Sequence, residues 1–112
     1  MVNLTRGTTL VEHGEEATGP IARGIGLLGR SSLPPGGGLL LRPCQSIHTF
    51  FMRFPIDVVF VNGDGRVVHV AEHVRPNRIG PVVRKARYVI EMPAGTISAT
   101  ATEVGDRLAV TQ

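Results

Sequence analysis

"IDVVFVNGDGRVVHV", residues 56–70, is the stretch that decides the fold. Two apolar runs flank the residues Asn-Gly-Asp-Gly at positions 62–65. Asn-Gly and Asp-Gly pairs between apolar runs are typical of the tight turns of β-hairpins. A calcium-binding loop is disfavoured, because the further oxygen ligands and the terminal Glu of such a loop do not follow the turn. The stretch therefore predicts a β-hairpin with strands over 56–61 and 66–70.

Short apolar runs continue along the rest of the chain, separated by 14 Gly and 8 Pro residues. This pattern is typical of many short strands joined by tight turns. Further strands are predicted over residues 8–13, 38–43, 82–92 and 107–110, and an extended connection over 97–106. Residues 47–54 are also predicted to be extended. Because side chains alternate along a strand, one of its faces would carry His48, Phe50, Met52 and Phe54.

One short helix is predicted over about 19–30. Pro20 suits a first helical turn. Ile21, Ile25 and Leu28 recur at the spacing that places them on one helical face. The predicted fold class is α+β and β-dominated: a small curled antiparallel sheet or a barrel-like domain with one short helix.

The length of 112 residues predicts a single domain over 1–112 with one hydrophobic core. No apolar run approaches the about 18 residues of a membrane span, so no membrane partner is predicted. The first residues lack the apolar core of a secretory signal. The single Cys44 cannot form an internal disulfide. A cytoplasmic location is therefore expected.

Charge is unevenly distributed along the chain, which has 12 Lys and Arg residues against 9 acids and a formal net charge of +3. Residues 17–56 contain four Arg and no acid, and residues 73–90 contain four Arg, one Lys and no acid. The two windows predict a positive face if the fold brings them together. The alternative is that the basic side chains point separately to water.

Cofactor motifs are weak in this sequence. The segment "GIGLLG" (24–29) matches the glycine spacing of dinucleotide-binding loops, but no strand is predicted before it and no acid follows until Asp57. The four His residues and Cys44 form no paired metal-binding motif. Aromatic residues make up only 4% of the chain, which favours core packing of Phe over stacking on bases. No cofactor, metal or nucleic-acid partner is predicted.

Three residues are candidates for catalysis: Cys44 as a nucleophile, with His48 and Asp57 as acid or base. The alternatives are structural. Cys44 follows Pro43 in an apolar run, which favours a buried, inert thiol. Asp57 lies within an apolar strand, where an unpaired acid is costly. It would be a hydrogen-bond hub for Arg53, another Arg, or backbone N–H groups.

The run "RGIGLLGRSSLPPGGGLLLRPCQSIHTFFMRFPIDVVFVNGDGRVVHV", followed by "YVIEMPAGTISATATEVGDRLAV", resembles the family called domain of unknown function 192, also known as uncharacterised protein family 0127. The similarity is strongest over 17–110, above all at "PIDVVF", "EMPAGT" and "GDRL". The resemblance implies a small, β-rich, barrel-like domain and no assigned reaction. The positions that it implies for a shared scaffold or site are Arg23, Gly26, Pro55, Asp57, Glu91, Gly95, Gly105 and Asp106.

Three functions remain open at this point. The first is a non-catalytic accessory or ligand-binding module with a partly basic cleft, in which Arg42, His48 and Arg53 meet an anionic or hydroxylated small ligand. The second is a small enzyme that uses Cys44 or Asp57 with His48. The third is a protein-interaction module that pairs through an edge strand near Pro55. A monomer or a weak homodimer is expected.

Overall fold

The structure is a computed structural model that describes residues 1–17, 32–49 and 52–110. The helix predicted over 19–30 lies outside the described residues. The described elements, in chain order, are β1 (Val2–Asn3), β2 (Thr8–Thr9), β3 (His13–Ala17), β4 (Gly37–Leu41), β5 (Ile56–Val61), β6 (Val67–Val74), β7 (Tyr88–Pro93), α1 (Thr96–Thr100) and β8 (Leu108–Ala109).

The main sheet has five strands in the order β3-β4-β7-β5-β6. The pair β3–β4 is parallel, and the other neighbours are antiparallel. Every residue of β5 is buried, because its neighbours β7 and β6 flank it and side chains cover both of its faces. A second sheet, β2-β1-β8, is antiparallel and has three strands of two residues each.

The predicted hairpin is confirmed: β5 pairs antiparallel with β6. The Asn62 side chain closes the turn by accepting the amides of Asp64 and Arg66 at 3.0 and 2.9 Å. Gly65 has a φ of 80°, in the left-handed region that favours glycine. A Cβ at Gly65 would also lie 2.9 Å from the carbonyl oxygen of Leu108. The turn sequence thus serves both the hairpin and its contact with β8.

Apolar side chains form one cluster on each face of the main sheet. The first face carries Val59, Val61, Ile90 and Met92, and α1 covers it through Ile97. The second face carries a separate set of buried side chains: Ile56, Val58, Phe60, Val89, Ile47, Met52 and Ala86. Each fully buried aliphatic or Phe side chain contributes roughly 1.5–3 kcal/mol. The two clusters thus assign the apolar side chains of β5 and β7 to one face or the other.

The β-dominated α+β class is confirmed, and the two described sheets are open rather than closed into a barrel. The extended connection predicted over 97–106 is wrong at its start, because α1 occupies Thr96–Thr100. A five-residue helix is too short for a hydrophobic period to reveal it. Among the described residues, no helix has the length and apolar character needed to cross a membrane.

Three strand predictions need correction. The described part of 47–54 is not a strand of either sheet, and only His48 forms an isolated bridge, to Ile79. Residues 8–13 are divided between β2 and the start of β3, and the strand predicted over 82–92 begins only at Tyr88. Most of the described apolar side chains in the wrongly assigned parts do pack in the core, but they lie in loops rather than in hydrogen-bonded strands.

Pro55 does not lie at a free edge of the main sheet, as the interaction hypothesis required. It precedes β5, which is an interior strand between β7 and β6. The outer strands of this sheet are β3 and β6. An edge-pairing function would therefore have to use one of those two strands.

Candidate functional site

The candidate site begins with residues 44–49, here called the strap, which run beside the loop 75–87, here called the basic loop. The amide of Thr49 donates to the carbonyl of Arg78 at 2.8 Å, and the amide of Gly80 donates to the carbonyl of Ile47 at 2.9 Å. A third bond joins the Val83 amide to the Gln45 carbonyl at 2.8 Å. These bonds bring residues 44–49 of the first acid-free window against the basic loop, which lies in the second window.

Thr49 anchors the basic loop from below. Its side chain is fully buried. The Thr49 hydroxyl donates to the carbonyl of Arg75 at 2.6 Å and accepts the amide of Arg78 at 2.8 Å. The Thr49 carbonyl accepts the amide of Asn77 at 2.7 Å, where the chain turns with a φ of 62°. One threonine therefore fixes the conformation of the loop that carries most of the charge.

The exposed side chains of the strap and the basic loop are almost all basic or apolar. We call the following exposed basic side chains the basic face: His48, Arg75, Arg78, Arg84, Lys85 and Arg87. Opposite residues in an antiparallel pair project their side chains from the same face. His48 and Ile79 form such a pair and therefore project together. Acids are absent from the described residues of the strap and the basic loop, so the local potential is positive.

A shallow, open depression of about 440 Å³ lies where the strap meets the basic loop. It is lined by Pro43, Cys44, Gln45, Arg84, Ala86 and Arg87. Cys44 is half-buried, and its thiol donates to the carbonyl of Ser46 at 2.9 Å. Two guanidinium groups at the rim of such a depression can hold a planar or tetrahedral anion by paired hydrogen bonds.

Arg42 occupies a different environment from the other predicted ligand-binding residues. Its Nε lies 3.4 Å from a carboxylate oxygen of Glu16, and its guanidinium lies 5.3 Å from the centre of the Tyr88 ring. Burial raises the pKa of Tyr88, and the charge of Arg42 opposes that rise. Arg42 lines a separate groove that also contains Glu12 and Glu15. The structure therefore brings His48 beside the basic loop but turns Arg42 towards the acids of β3 and its flank. Arg53 is exposed, and no described contact joins its side chain to the basic loop.

Asp57 lies on the opposite side of the main sheet from Cys44. Its two carboxylate oxygens accept three backbone amides, those of His73 at 2.9 Å, Gly95 at 3.1 Å and Ile97 at 2.8 Å. Alternation along β5 places Asp57 on the face of the sheet that α1 covers, whereas Cys44 packs against the other apolar cluster. Of the partners considered, backbone amides rather than Arg53 hold this carboxylate. The geometry does not assemble Cys44, His48 and Asp57 into one acid–base site.

Asp106 is the centre of a second buried polar network, which joins the two ends of the described chain. Its Oδ2 accepts hydrogen bonds from the side chains of Asn3 at 2.9 Å and Arg6 at 3.0 Å and from the amide of Glu103 at 3.0 Å. Burial alone would raise the pKa of Asp106, but these bonds and the charge of Arg6 outweigh it and the pKa lies below its usual value. Gly105, with a φ of 96°, makes the preceding turn.

Glu91 is buried at the centre of β7, between Leu39 of β4 and Val58 of β5. Burial raises the pKa of its carboxyl group to about 7. No hydrogen bond or ion pair joins its side chain to another described residue. Of the remaining positions that the family resemblance implies, Pro55 is exposed and Gly95 precedes α1, while Arg23 and Gly26 lie outside the described residues.

The described part of the chain contains no cluster of three or more His, Cys, Asp or Glu side chains that could hold a metal ion. Sequence reasoning missed Thr49 and the exposed apolar pair Ile79 and Val82. The repeated Pro, Asn and Gly of "RPNRIGP" marked a loop, but nothing in that pattern indicated that the loop would be held against the strap.

Comparison with known proteins agrees with this architecture. The sequence model of the domain of unknown function 192 family, described as "Uncharacterized ACR", matches residues 2–110. A UPF0127 protein of Pyrococcus furiosus is 35% identical over 113 residues, which cover 96% of this chain and 95% of that protein.

Two solved structures are similar. A protein of unknown function from Novosphingobium aromaticivorans is 23% identical with a TM-score of 0.77, and the match covers 84% of this chain and 71% of that one. A protein from Sinorhizobium meliloti, named as a candidate transcription regulator, is 28% identical with a TM-score of 0.78 over 86% of this chain and 79% of that one.

Proposed function

The chain belongs to the domain of unknown function 192 family, and we propose that it is a non-catalytic accessory module whose basic face binds an anionic or hydroxylated ligand. The observation that carries the proposal is the set of backbone hydrogen bonds between the strap and the basic loop. They hold the exposed His48 of the strap beside the Arg and Lys side chains of the basic loop, and neither segment contains an acid. A cytoplasmic location belongs to the same proposal and is supported by the single cysteine.

Arginine is suited to this task because its guanidinium group presents several donors in a fixed plane. Arg84 and Arg87 border the depression at Cys44, and Arg75 and Arg78 follow along the same loop. An open, shallow site of this kind supports recognition by charge more than by enclosure. The proposed ligand therefore carries phosphate, carboxylate or sulfate groups, or several hydroxyl groups.

A catalytic role has less support. The three amides that hold Asp57 leave it turned away from the strap. The remaining support is Cys44, which borders the depression beside two arginines. Because its thiol is half-buried and bonded to the Ser46 carbonyl, we expect iodoacetamide to label it more slowly in the folded chain than in urea. Equally fast labelling in both states would favour the enzyme hypothesis instead.

Nucleic acid is the second candidate ligand, because the similar Sinorhizobium meliloti protein is named as a candidate transcription regulator. The basic face would supply phosphate contacts. Against this candidate, α1 is five residues long and has no basic residue in its last turn, and it is the one helix within the described ranges. No described element therefore resembles a recognition helix for the major groove.

A titration with inorganic tripolyphosphate, followed by the backbone amide signals in NMR spectra, tests the proposal. The expected signal changes are concentrated in the strap and the basic loop. The variant Arg78→Ala/Arg84→Ala should weaken binding by about tenfold or more, since two charge-assisted contacts are lost.

The matched control is Arg66→Ala/Arg107→Ala, which removes the same charge from the isolated bridge near β8. It should retain most of the affinity. Equal loss in both variants would mean that net charge alone attracts the anion, and signal changes elsewhere would place the site elsewhere. The same titration with a short DNA duplex measures the second candidate directly.

A further inference from the structure

Two large apolar side chains are exposed within the basic loop. Ile79 is 74% exposed and Val82 is 67% exposed. Scattered exposed aliphatic residues are ordinary on a protein surface. This pair is different because it lies three residues apart within an acid-free stretch that also contains Arg75, Arg78 and Arg84.

Several backbone amides on either side of this pair are bonded to the strap. The amides of Asn77, Arg78, Gly80 and Val83 all donate to groups of the strap. Entry of a loop into a medium poor in water is costly when its backbone groups lack partners. Here the strap supplies partners for four amides of the loop, which lowers the cost of moving its apolar side chains out of water.

Exposed cationic side chains beside exposed aliphatic side chains favour binding to an anionic lipid surface. Cationic residues are drawn to the negative surface potential of such bilayers, and aliphatic side chains gain by entering the boundary between headgroups and acyl chains. The phosphates of a nucleic acid would also attract the cationic side chains, but they offer no apolar contact for Ile79 and Val82. The exposed pair Ile79 and Val82 therefore favours an anionic lipid surface over a nucleic acid as the partner of the basic loop.

We propose that residues 75–85 dock the chain on the surface of a bilayer that contains anionic lipids, with Ile79 and Val82 entering the headgroup boundary and the surrounding Arg and Lys side chains contacting lipid phosphates. The inference rests on the proposed function, because it identifies the anion bound by the basic face as a lipid headgroup. It describes attachment at the surface and not a membrane span.

Vesicle sedimentation tests this inference. The probes are vesicles of phosphatidylcholine alone and of three parts phosphatidylcholine to one part phosphatidylglycerol. The chain should sediment with the mixed vesicles and remain in solution with the neutral ones. The variant Ile79→Ser/Val82→Ser, which keeps every charge, should bind the mixed vesicles about tenfold more weakly.

The matched control is Leu4→Ser/Val104→Ser, because these side chains are 57% and 60% exposed and lie outside the basic loop. It should bind the mixed vesicles as well as the unchanged chain. The inference is wrong if both variants lose binding equally, or if neither does. Circular dichroism confirms that each variant is folded before it is compared.

The failure of this inference can be distinguished from failure of the proposed function. If the mixed vesicles leave the chain in solution while tripolyphosphate or a DNA duplex still shifts the amides of the basic loop, the lipid inference is overturned and anion binding stands. If no anion shifts those amides, both are overturned.

Discussion

The carboxylate of Asp57 connects three parts of the chain that lie far apart in sequence. It accepts the amide of His73, at the irregularity in β6 where φ is 50°, and the amides of Gly95 and Ile97 around the start of α1. In Asp57→Asn, one acceptor oxygen remains and an NH2 group faces an amide donor. We expect the free energy of unfolding to fall by roughly 2–4 kcal/mol, as measured by urea denaturation.

The matched control is Asp64→Asn in the exposed hairpin turn, where the side chain is open to water. It should change the free energy of unfolding by less than about 0.5 kcal/mol. If Asp57→Asn unfolds at the same urea concentration as the unchanged chain, the three amide bonds do not stabilise the fold in the way that their geometry indicates.

Glu91 presents the opposite situation, a buried carboxyl group without a described hydrogen-bond partner. Burial raises its pKa from 4.5 to about 7. Between those pH values the folded chain keeps a proton that the unfolded chain has lost. The free energy of unfolding should therefore fall as pH rises from 4.5 to 7, by about 3 kcal/mol at most.

Glu91→Gln tests this dependence because an amide does not titrate. The difference in unfolding free energy between Glu91→Gln and the unchanged chain should increase in favour of the variant as pH rises through this window, and then level off. A difference that stays constant with pH would show that Glu91 titrates normally in the folded chain.

The sequence indicated one of these two acids and not the other. Asp57 stood out because it interrupts an apolar strand, and its need for hydrogen bonds could be predicted from that position alone. Glu91 also lies in an apolar run, "YVIEMP", but was identified only through the family resemblance. Its lack of a described partner depends on which strands flank β7, and that arrangement is a tertiary property.

At the scale of elements, the sequence predicted pairing between segments close in sequence but not pairing between distant ones. The β5–β6 hairpin was predictable because its turn and both strands lie within fifteen consecutive positions, 56–70. Residues 47–54 were predicted to be a strand because their apolar residues alternate, while the hydrogen-bond partner of residues 47–49 is the basic loop. Thr49 and Arg78, for example, are 29 residues apart. No pattern within the strap itself could reveal that partner.

The turn between β7 and α1 requires a residue with a positive φ. Gly95 has a φ of 97°, and a Cβ placed there would meet no atom within 4 Å, so backbone strain is the main cost of a side chain. Gly95→Ala should lower the free energy of unfolding by about 1–2 kcal/mol, as measured by thermal and urea denaturation.

Gly14→Ala is the control for that substitution, because Gly14 lies in β3 without a positive φ. It should be neutral or slightly stabilising, since alanine reduces the freedom of the unfolded chain. If the two alanine variants are equally stable, the left-handed conformation at Gly95 is not required by the turn.

At the scale of the whole molecule, the small sheet depends on contacts between the two ends of the described chain. Asn3 and Asp106 are 103 residues apart and share a hydrogen bond. The strands of this sheet are only two residues long, so the polar network around Asp106 has to supply much of its stability. The main sheet is stabilised by two apolar clusters, and the small sheet contributes Leu108 of β8 to the first of them.

Hydrogen exchange monitored by NMR should therefore separate the two sheets. Amides of β5 and β7 should exchange only on global unfolding, and those of β1 and β8 through a smaller opening. Asp106→Asn should accelerate exchange in β1 and β8 by roughly tenfold while changing β5 and β7 less. Acceleration by one common factor would mean that the molecule opens as a single unit.

Acidification should have a related effect. The pKa of Asp106 lies below its usual value in the folded chain. Its contribution to the free energy of unfolding is therefore complete above the usual pKa and is lost as pH falls through the lowered one.

Fold class was predictable from the density of short strands and turns. The pairing of β1 with β8 was not predictable, because no pattern within either strand indicates which distant segment it pairs with.

The pairing of β1 with β8 also sets an order of events during protein synthesis. Val2 leaves the ribosome long before its partner Ala109, with a delay on the order of 5–20 s at ordinary translation rates. Until then β1 has only the neighbouring β2 to pair with. The nascent chain must therefore carry an incomplete sheet while the hairpin and the larger sheet form. Any factor that protects this chain during translation would find β1 without its β8 partner until the last strand is made.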